Sequence, residues 1–381
     1  VQAGILTAKN IIDATDAQYN TRVGGNAGNS FDGTNANKNT LIGYDAGTAI
    51  TGADDNTFVG YRAGDAVTTG QENTFVGRDC GGGTNTGRSN VAMGYETFVT
   101  NTTGGYNVAL GYEALRANTT ASYNTAVGEG ALRNNTTGSP NTAVGYRALY
   151  TNTTGQQNVA LGYQSMRLNE TGSYNCAVGY DSLEANTTGA QNTATGNHSL
   201  TSNTTGSLNS AFGNTALDAN TTGSHNSAFG HNALGANTTA NDNTAVGYAA
   251  LNANTTGHSN VGIGNSALKA NTTANQNTAV GYLAATANTT GTANVAIGNE
   301  AFKTNTTGGY NTAVGDSALA ANTTANYNTA VGRNSMGSNT TGTTNTALGY
   351  NALTANTTAS NNTSIGNQSL GSNTTGAQNI A

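Results

Sequence analysis

The chain has 381 residues, of which 52 are Gly, one is Pro and none is Trp; 8% are charged, and the formal net charge is −6. A weak negative balance without a basic block gives no electrostatic footprint for nucleic acid, and no run of ~18 apolar residues is present to cross a bilayer. Low charge and few aromatics also fit disordered chains, but here the small and apolar residues stay locked to fixed columns, which an unstructured chain has no physical reason to maintain.

Residues Val1–Asn20 carry no period. Their apolar pairs Ile5-Leu6 and Ile11-Ile12, with Asp13 and Asp16, read as a cap or as the end of a preceding shaft, because the open end of a stack must be covered. The chain starts at Val1 without Met or signal peptide and ends at Ala381, three residues into a new repeat, so it reads as a processed or partial piece. Asn20–Gly24 looks like a degenerate first repeat, 19 residues ahead of Asn39. From Asn39 onward a 17-residue unit recurs without insertion or deletion, 20 complete copies and a truncated one, typified by Asn141–Gln157, NTAVGYRALYTNTTGQQ. The expected organisation is a cap or shaft segment at 1–38 and a repeat array at 39–381.

With the opening asparagine as column one, column five is Gly in all 20 complete repeats. Columns two to four predict a short strand, in which columns two and four share one face and column three points the other way. Column four is apolar in 19 of 20 repeats, Thr195 being the exception. Columns three and nine exchange volume. The first three repeats pair Leu41, Phe58 and Phe75 with Gly47, Gly64 and Gly81, whereas later repeats pair Ala109, Ala126 and Ala143 with Leu115, Leu132 and Leu149. Such exchange places both columns in one interior; Ala279 with Ala285 marks an underfilled coil. A second strand is expected at about columns seven to nine, tight turns at the Gly and at the Asn-Thr-Thr-Gly/Ala corner, and an amide ladder along column one. Gly, Asn and Thr at these frequencies argue against helix.

The fold class expected is therefore all-β, a parallel β-solenoid or β-roll of 17-residue coils. Burying one Val and one Leu per coil yields ~4 kcal/mol, against more than ~17 kcal/mol of backbone entropy. Both faces of the strand thus need to be covered, and other copies of the chain, in a closed homotrimer, are the simplest cover. At ~4.8 Å per coil the array would extend on the order of 96 Å.

Chemistry finds little support in the sequence. His198, His225, His231 and His258 have no metal-ligand spacing with carboxylates or thiols, no nucleophile–base set recurs, and no cofactor motif is present. Cys80 and Cys176 lie six coils apart, roughly 29 Å, beyond disulfide reach, and read as inert packing residues. Column twelve is the most persistent polar signal. Asn101, Asn118, Asn135, Asn152, Asn169, Asn186, Asn203, Asn220, Asn237, Asn254, Asn271, Asn288, Asn305, Asn322, Asn339, Asn356 and Asn373 each have Thr two residues on, an N-glycosylation acceptor pattern on an expected exposed turn; a plain Asn/Thr turn gives the same text. The paired threonine rows also admit ice binding. Aromatic rows in column six (Tyr112, Tyr146, Tyr163, Tyr180) and column 17 (Tyr106, Tyr123, Tyr174, Tyr310, Tyr327) are candidate contact surfaces for carbohydrate or protein, with packing along the coil edge as the alternative use.

The unit Asn-Thr-Ala-Val-Gly-Tyr, with its variants at 158–163 and 294–298, resembles the head repeats of trimeric autotransporter adhesins, and the longer unit resembles repeats in bacteriophage tail fibres. The resemblance covers Asn39–Ala381. It implies a left-handed roll packed as a trimer and used as a rod in host attachment, although the 17-residue period is longer than typical adhesin-head repeats. The function expected is a non-enzymatic extracellular fibre, on a virion or a cell surface, binding a carbohydrate or protein receptor multivalently. A glycosylated cell-surface or matrix filament is the alternative. No cofactor, nucleic acid or membrane insertion is expected.

Overall fold

The structure, a computed structural model, describes residues 13–14, 18–31 and 35–381. Ile5-Leu6, Ile11-Ile12 and Asp16, the marks of the expected cap, lie outside the described residues. Two compact units are formed, residues 1–188 and 189–381. Each is a parallel β-solenoid of 17-residue coils, and together they contain 21 parallel strands, with no helix among the described residues.

In the first unit the parallel strands run from Thr21–Val23 to Cys176–Val178, and Asp13–Ala14 pairs antiparallel with the first of them. Thr21–Val23 also pairs in parallel with Thr40–Ile42 at an offset of 19, so the degenerate repeat joins the stack. In the second unit the strands run from Thr193–Thr195 to Thr363–Ile365. Each coil contributes one strand of three or four residues, paired column for column with its neighbours: Thr142 faces Val159, Ala143 faces Ala160 and Val144 faces Leu161.

The expected second strand is absent. Columns six to eleven form a continuous turn, because two of the expected strand positions are left-handed: in the coil Asn141–Gln157, Arg147 has φ +52° and Leu149 φ +51°. Gln157 at the coil's end has φ +54°. For L-residues this conformation costs about 1–2 kcal/mol each. Hydrogen bonds between coils offset it: Arg147 N donates to Glu129 O at 2.9 Å, Leu149 N to Ser165 O at 3.0 Å, and Gln157 N to Pro140 O at 2.7 Å. The fourth positive φ belongs to the column-five glycine. Gly145 has φ +139°, and a Cβ there would stand 2.2 Å from Gly162 O of the next coil. Both the conformation and the close approach exclude a side chain, which accounts for glycine in every repeat.

The interior is thin and filled as the column exchange implied. Ala143, Ala148 and Leu149 are fully buried, as are Phe58 and Phe75 in the early coils. A Cβ on Gly64 would lie 2.5 Å from Phe58 Cε2, and one on Gly81 2.3 Å from Phe75 Cδ2, so columns three and nine occupy one space. Phe58 and Phe75 stack at 5.0 Å. Ala279 and Ala285 are buried together in a coil with no large interior residue, directly before the coil that carries buried Phe302.

Candidate functional site

Two asparagine ladders run inside each unit. In column one, Asn158 N donates to Asn141 Oδ1 at 2.9 Å and Asn158 Nδ2 donates to Gly172 O at 2.9 Å. In column twelve, Asn152 Nδ2 donates to Asn135 Oδ1 at 2.8 Å and to Gly155 O at 3.0 Å, while its Oδ1 accepts from Asn169 Nδ2 at 2.8 Å. The two ladders meet at column fifteen: Gly155 O accepts Asn141 Nδ2 at 2.9 Å as well as Asn152 Nδ2. One carbonyl thus uses both lone pairs, and a column-twelve amide inside the ladder, such as Asn152, uses both N–H bonds; the terminal Asn101 and Asn373 donate only to Gly104 O and Gly376 O. Buried polar groups are tolerable when satisfied in this way.

This overturns the exposed-turn reading of column twelve. Asn101 through Asn356 are buried, and only Asn373, in the last complete coil, is half-exposed. An amide nitrogen with both hydrogens committed inside the coil offers no attachment point for a glycan in the folded chain. The threonine rows divide as well. Column-thirteen hydroxyls point along the stack, Thr136 Oγ1 donating to Thr153 O at 3.0 Å and Thr153 Oγ1 to Glu170 O at 3.0 Å. Column fourteen, such as Thr137 and Thr154, is exposed. The paired hydroxyl array that ice binding would use is therefore reduced to one row.

The outward face of the sheet is open. Columns two and four point away from the interior, and in each unit the column-four side chains form an apolar row, with Met93 at 51% exposure in the first unit and Phe229 at 40% and Leu348 at 39% in the second. Phe212 and Phe229 stack at 4.9 Å on that face. The strand was expected to be covered on both sides; within a single chain only column three is.

Tyrosines flank this face and stack coil on coil. In column six, Tyr146–Tyr163 and Tyr163–Tyr180 have centroids 5.1 Å apart, and Tyr95–Tyr112 5.7 Å. In column 17, Tyr106–Tyr123 stack at 5.1 Å and Tyr310–Tyr327 at 5.3 Å, and Tyr174 is exposed without a stacking neighbour in column 17 at Gln157 or Gln191. Each ring covers its neighbour's face. What the rows present outward is ring edges and hydroxyls rather than flat platforms for a sugar ring.

Charge gathers in the first unit along columns seven and ten. Arg62 pairs with Asp65 at 2.9 Å and Asp79 at 3.6 Å, Arg116 with Glu96 at 3.1 Å and Glu113 at 3.4 Å, Arg133 with Glu113 at 2.6 Å. Arg62, Asp65, Asp79, Glu96 and Arg116 line a shallow groove of ≈ 370 Å³. Burial raises the Asp65 carboxyl despite Arg62 beside it, whereas hydrogen bonds from Tyr95 and Arg116 hold Glu96 below the usual range. Such partly exposed pairs contribute little individually.

The four histidines, all in the second unit, do not converge; His225 lies 4.0 Å from Asp242 and His231 stacks on Tyr248. Among the described residues no three His, Cys, Asp or Glu side chains come together as metal ligands. Cys80 is buried and free, and desolvation pushes its thiol up to about 12; Cys176, half-buried on the outward face, is raised by the same cause. No described helix is long and apolar enough to cross a membrane. No protein-family model matches the chain, and no curated protein matches it.

Proposed function

We propose that this chain is a structural, non-enzymatic segment of an extracellular fibre, a viral tail fibre or surface adhesin, that associates with copies of itself, in a homotrimer, and takes part in host attachment. The observation that supports this most is the open apolar row. A stripe of Val, Ile, Leu, Met and Phe repeated coil after coil is far more apolar surface than a lone soluble chain ordinarily leaves in water. A second and third copy would cover it with the same stripe, which suits a closed symmetric assembly. The rest of the surface repeats its backbone coil by coil, so attachment would draw on several weak contacts along it rather than one deep pocket.

Native mass measurement at micromolar concentration tests the assembly. Three times the 38.1 kDa chain mass is expected, and Phe229→Asp, a charge placed in the stripe, is expected to reduce it to one. A single-chain mass for the unaltered protein overturns the assembly. Attachment is tested by adsorption of fluorescently labelled protein to a panel of bacterial cells, where multivalent binding to none of them counts against the reading.

A further inference from the structure

One constellation on the first unit departs from the repeat. Column seven holds a glycine only at Gly130, and column ten an aromatic only at Tyr150. The two departures fit each other: a Cβ on Gly130 would stand 3.1 Å from Tyr150 Cδ2 and Cε2, and 3.4 Å from Arg147 Cγ. The missing side chain makes the notch into which the Tyr150 ring and the Arg147 stem settle. Two guanidiniums lie against that ring, Arg133 at 5.5 Å and Arg147 at 5.4 Å, and Arg147 is also 4.9 Å from the centroid of Tyr146.

The two arginines differ in their partners. Arg133 holds Glu113 through two nitrogens, at 2.6 and 3.1 Å. Along the same edge Arg62, Arg116 and Arg167 each hold a carboxylate too. Arg147 alone among these is held by two tyrosine rings and has no carboxylate among the described residues within ion-pair distance, Glu129 on the adjoining coil included. A guanidinium fixed by aromatic contacts keeps its planar donor fork for an incoming partner and loses little freedom on binding.

We infer that Arg147, seated between Tyr146 and Tyr150, is a binding site for the carboxylate of an acidic saccharide, a uronate-type sugar carried on a polymer. This rests on the reading that the coils present their surface rows to an attachment ligand. A carboxylate matches the guanidinium fork in two parallel hydrogen bonds. The saccharide is favoured over an acidic peptide by what lies alongside. The strand Asn141–Val144 is paired on both sides, so no free sheet edge exists there for an extended peptide to join. The adjoining Tyr146, Tyr163 and Tyr180 row offers ring edges and hydroxyls at 5.1 Å intervals, which suit a hydroxyl-rich chain laid along the stack.

The test is binding of the intact protein to immobilised polygalacturonate at low salt, beside the fully methyl-esterified polymer and poly-glutamate. Binding to polygalacturonate that is lost on esterification and falls about tenfold in Arg147→Gln is expected, about 1.4 kcal/mol, with Arg167→Gln unchanged and both variants melting like the parent. Equal binding by Arg147→Gln, equal binding of the esterified polymer, or poly-glutamate bound as tightly each overturns the assignment. The outcome is independent of the mass measurement: a monomer whose polygalacturonate binding depends on Arg147 would defeat the assembly reading and leave this one standing.

Discussion

A single rung removed from the column-twelve ladder should cost more than its share of a block removal. Asn152→Val deletes three hydrogen bonds, to Asn135, Gly155 and Asn169. Gly155 O keeps Asn141, and Asn169 Nδ2 keeps Gly172 O at 3.0 Å. Asn135 Oδ1, which accepts from Asn152, is left buried without that donor, and the Asn169 N–H that donates to Asn152 Oδ1 loses its acceptor. At about 1 kcal/mol per net bond and a further 1–3 for each of the two orphaned groups, the single change should destabilise its coil by about 5–9 kcal/mol, less whatever the added apolar contact returns. Replacing Asn135, Asn152 and Asn169 together by Val leaves Asn118 Oδ1 and Gly138 O without Asn135 and takes Asn169 Oδ1 from one Asn186 N–H; three groups are orphaned by three changes, where Asn152→Val alone orphans two, so the triple variant should cost less than three times the single one. The early coils already show the block solution: column twelve there holds Ile50 and Val67, both buried. The assay is hydrogen exchange of the backbone amides in the Asn141–Gln157 coil, which reports local opening where a single global midpoint is ill-defined for stacked repeats. A single-variant cost below about 0.5 kcal/mol, or strict additivity in the triple, would refute the account of how the ladder is satisfied.

Thr84 marks the start of the same ladder, buried with an unpartnered hydroxyl; Thr84→Asn should gain about 1 kcal/mol by donating to Gly87 O and accepting from Asn101, read as slower exchange in that coil. Leu149→Gly should cost about 3–5 kcal/mol and Ala143→Leu about 1–3 by overpacking, yet the double variant, which recreates the Leu41/Gly47 pairing, should fall within about 1.5 kcal/mol of the parent in hydrogen exchange of the Asn141–Gln157 coil. Gly145→Ala should abolish the local coil, because the new Cβ would meet Gly162 O; unchanged proteolytic resistance would contradict that. For Cys80 the buried thiol stays protonated up to about 12, whereas in the unfolded chain it ionises near ~8.5. The unfolded state then binds fewer protons, so this group makes stability fall as pH rises between those values, by at most about 1.4 kcal/mol per pH unit. Cys80→Ala should flatten that part of the alkaline profile.

Much of the coil is legible in the sequence because stacking puts like on like. A residue at Gly145 faces its own counterpart one coil on, so a steric demand there repeats in every unit and shows as an invariant column. The exchange between Phe58/Gly64 and Ala143/Leu149 is visible for the same reason. Three features are not visible. Asn-Thr-Thr reads as a surface turn by local chemistry, and only the convergence of Asn141 and Asn152 on one carbonyl, set by the three-dimensional path between them, reveals that the asparagine points inward. Leu149 reads as a strand residue by its apolar character, since nothing in a leucine announces a left-handed backbone. The site at Arg147 escapes column statistics because it is built from exceptions, Gly130 and Tyr150, each of which looks like drift until the two are seen in contact.

The shared carbonyl at Gly155 has an implication for inheritance. Within a unit, each ladder bond either joins one coil to the next at the same column or closes on the column-fifteen carbonyl of its own coil, and no bond depends on how many coils lie beyond. Excising seventeen residues from any point in such a stretch, starting at any column, would close the gap with the same ladder partners on both sides. Copy number can therefore vary by unequal recombination between near-identical repeats without passing through a misfolded intermediate length, whereas a loss of sixteen or eighteen residues would set both amide rows out of step at once. Selection on such a protein acts on a count.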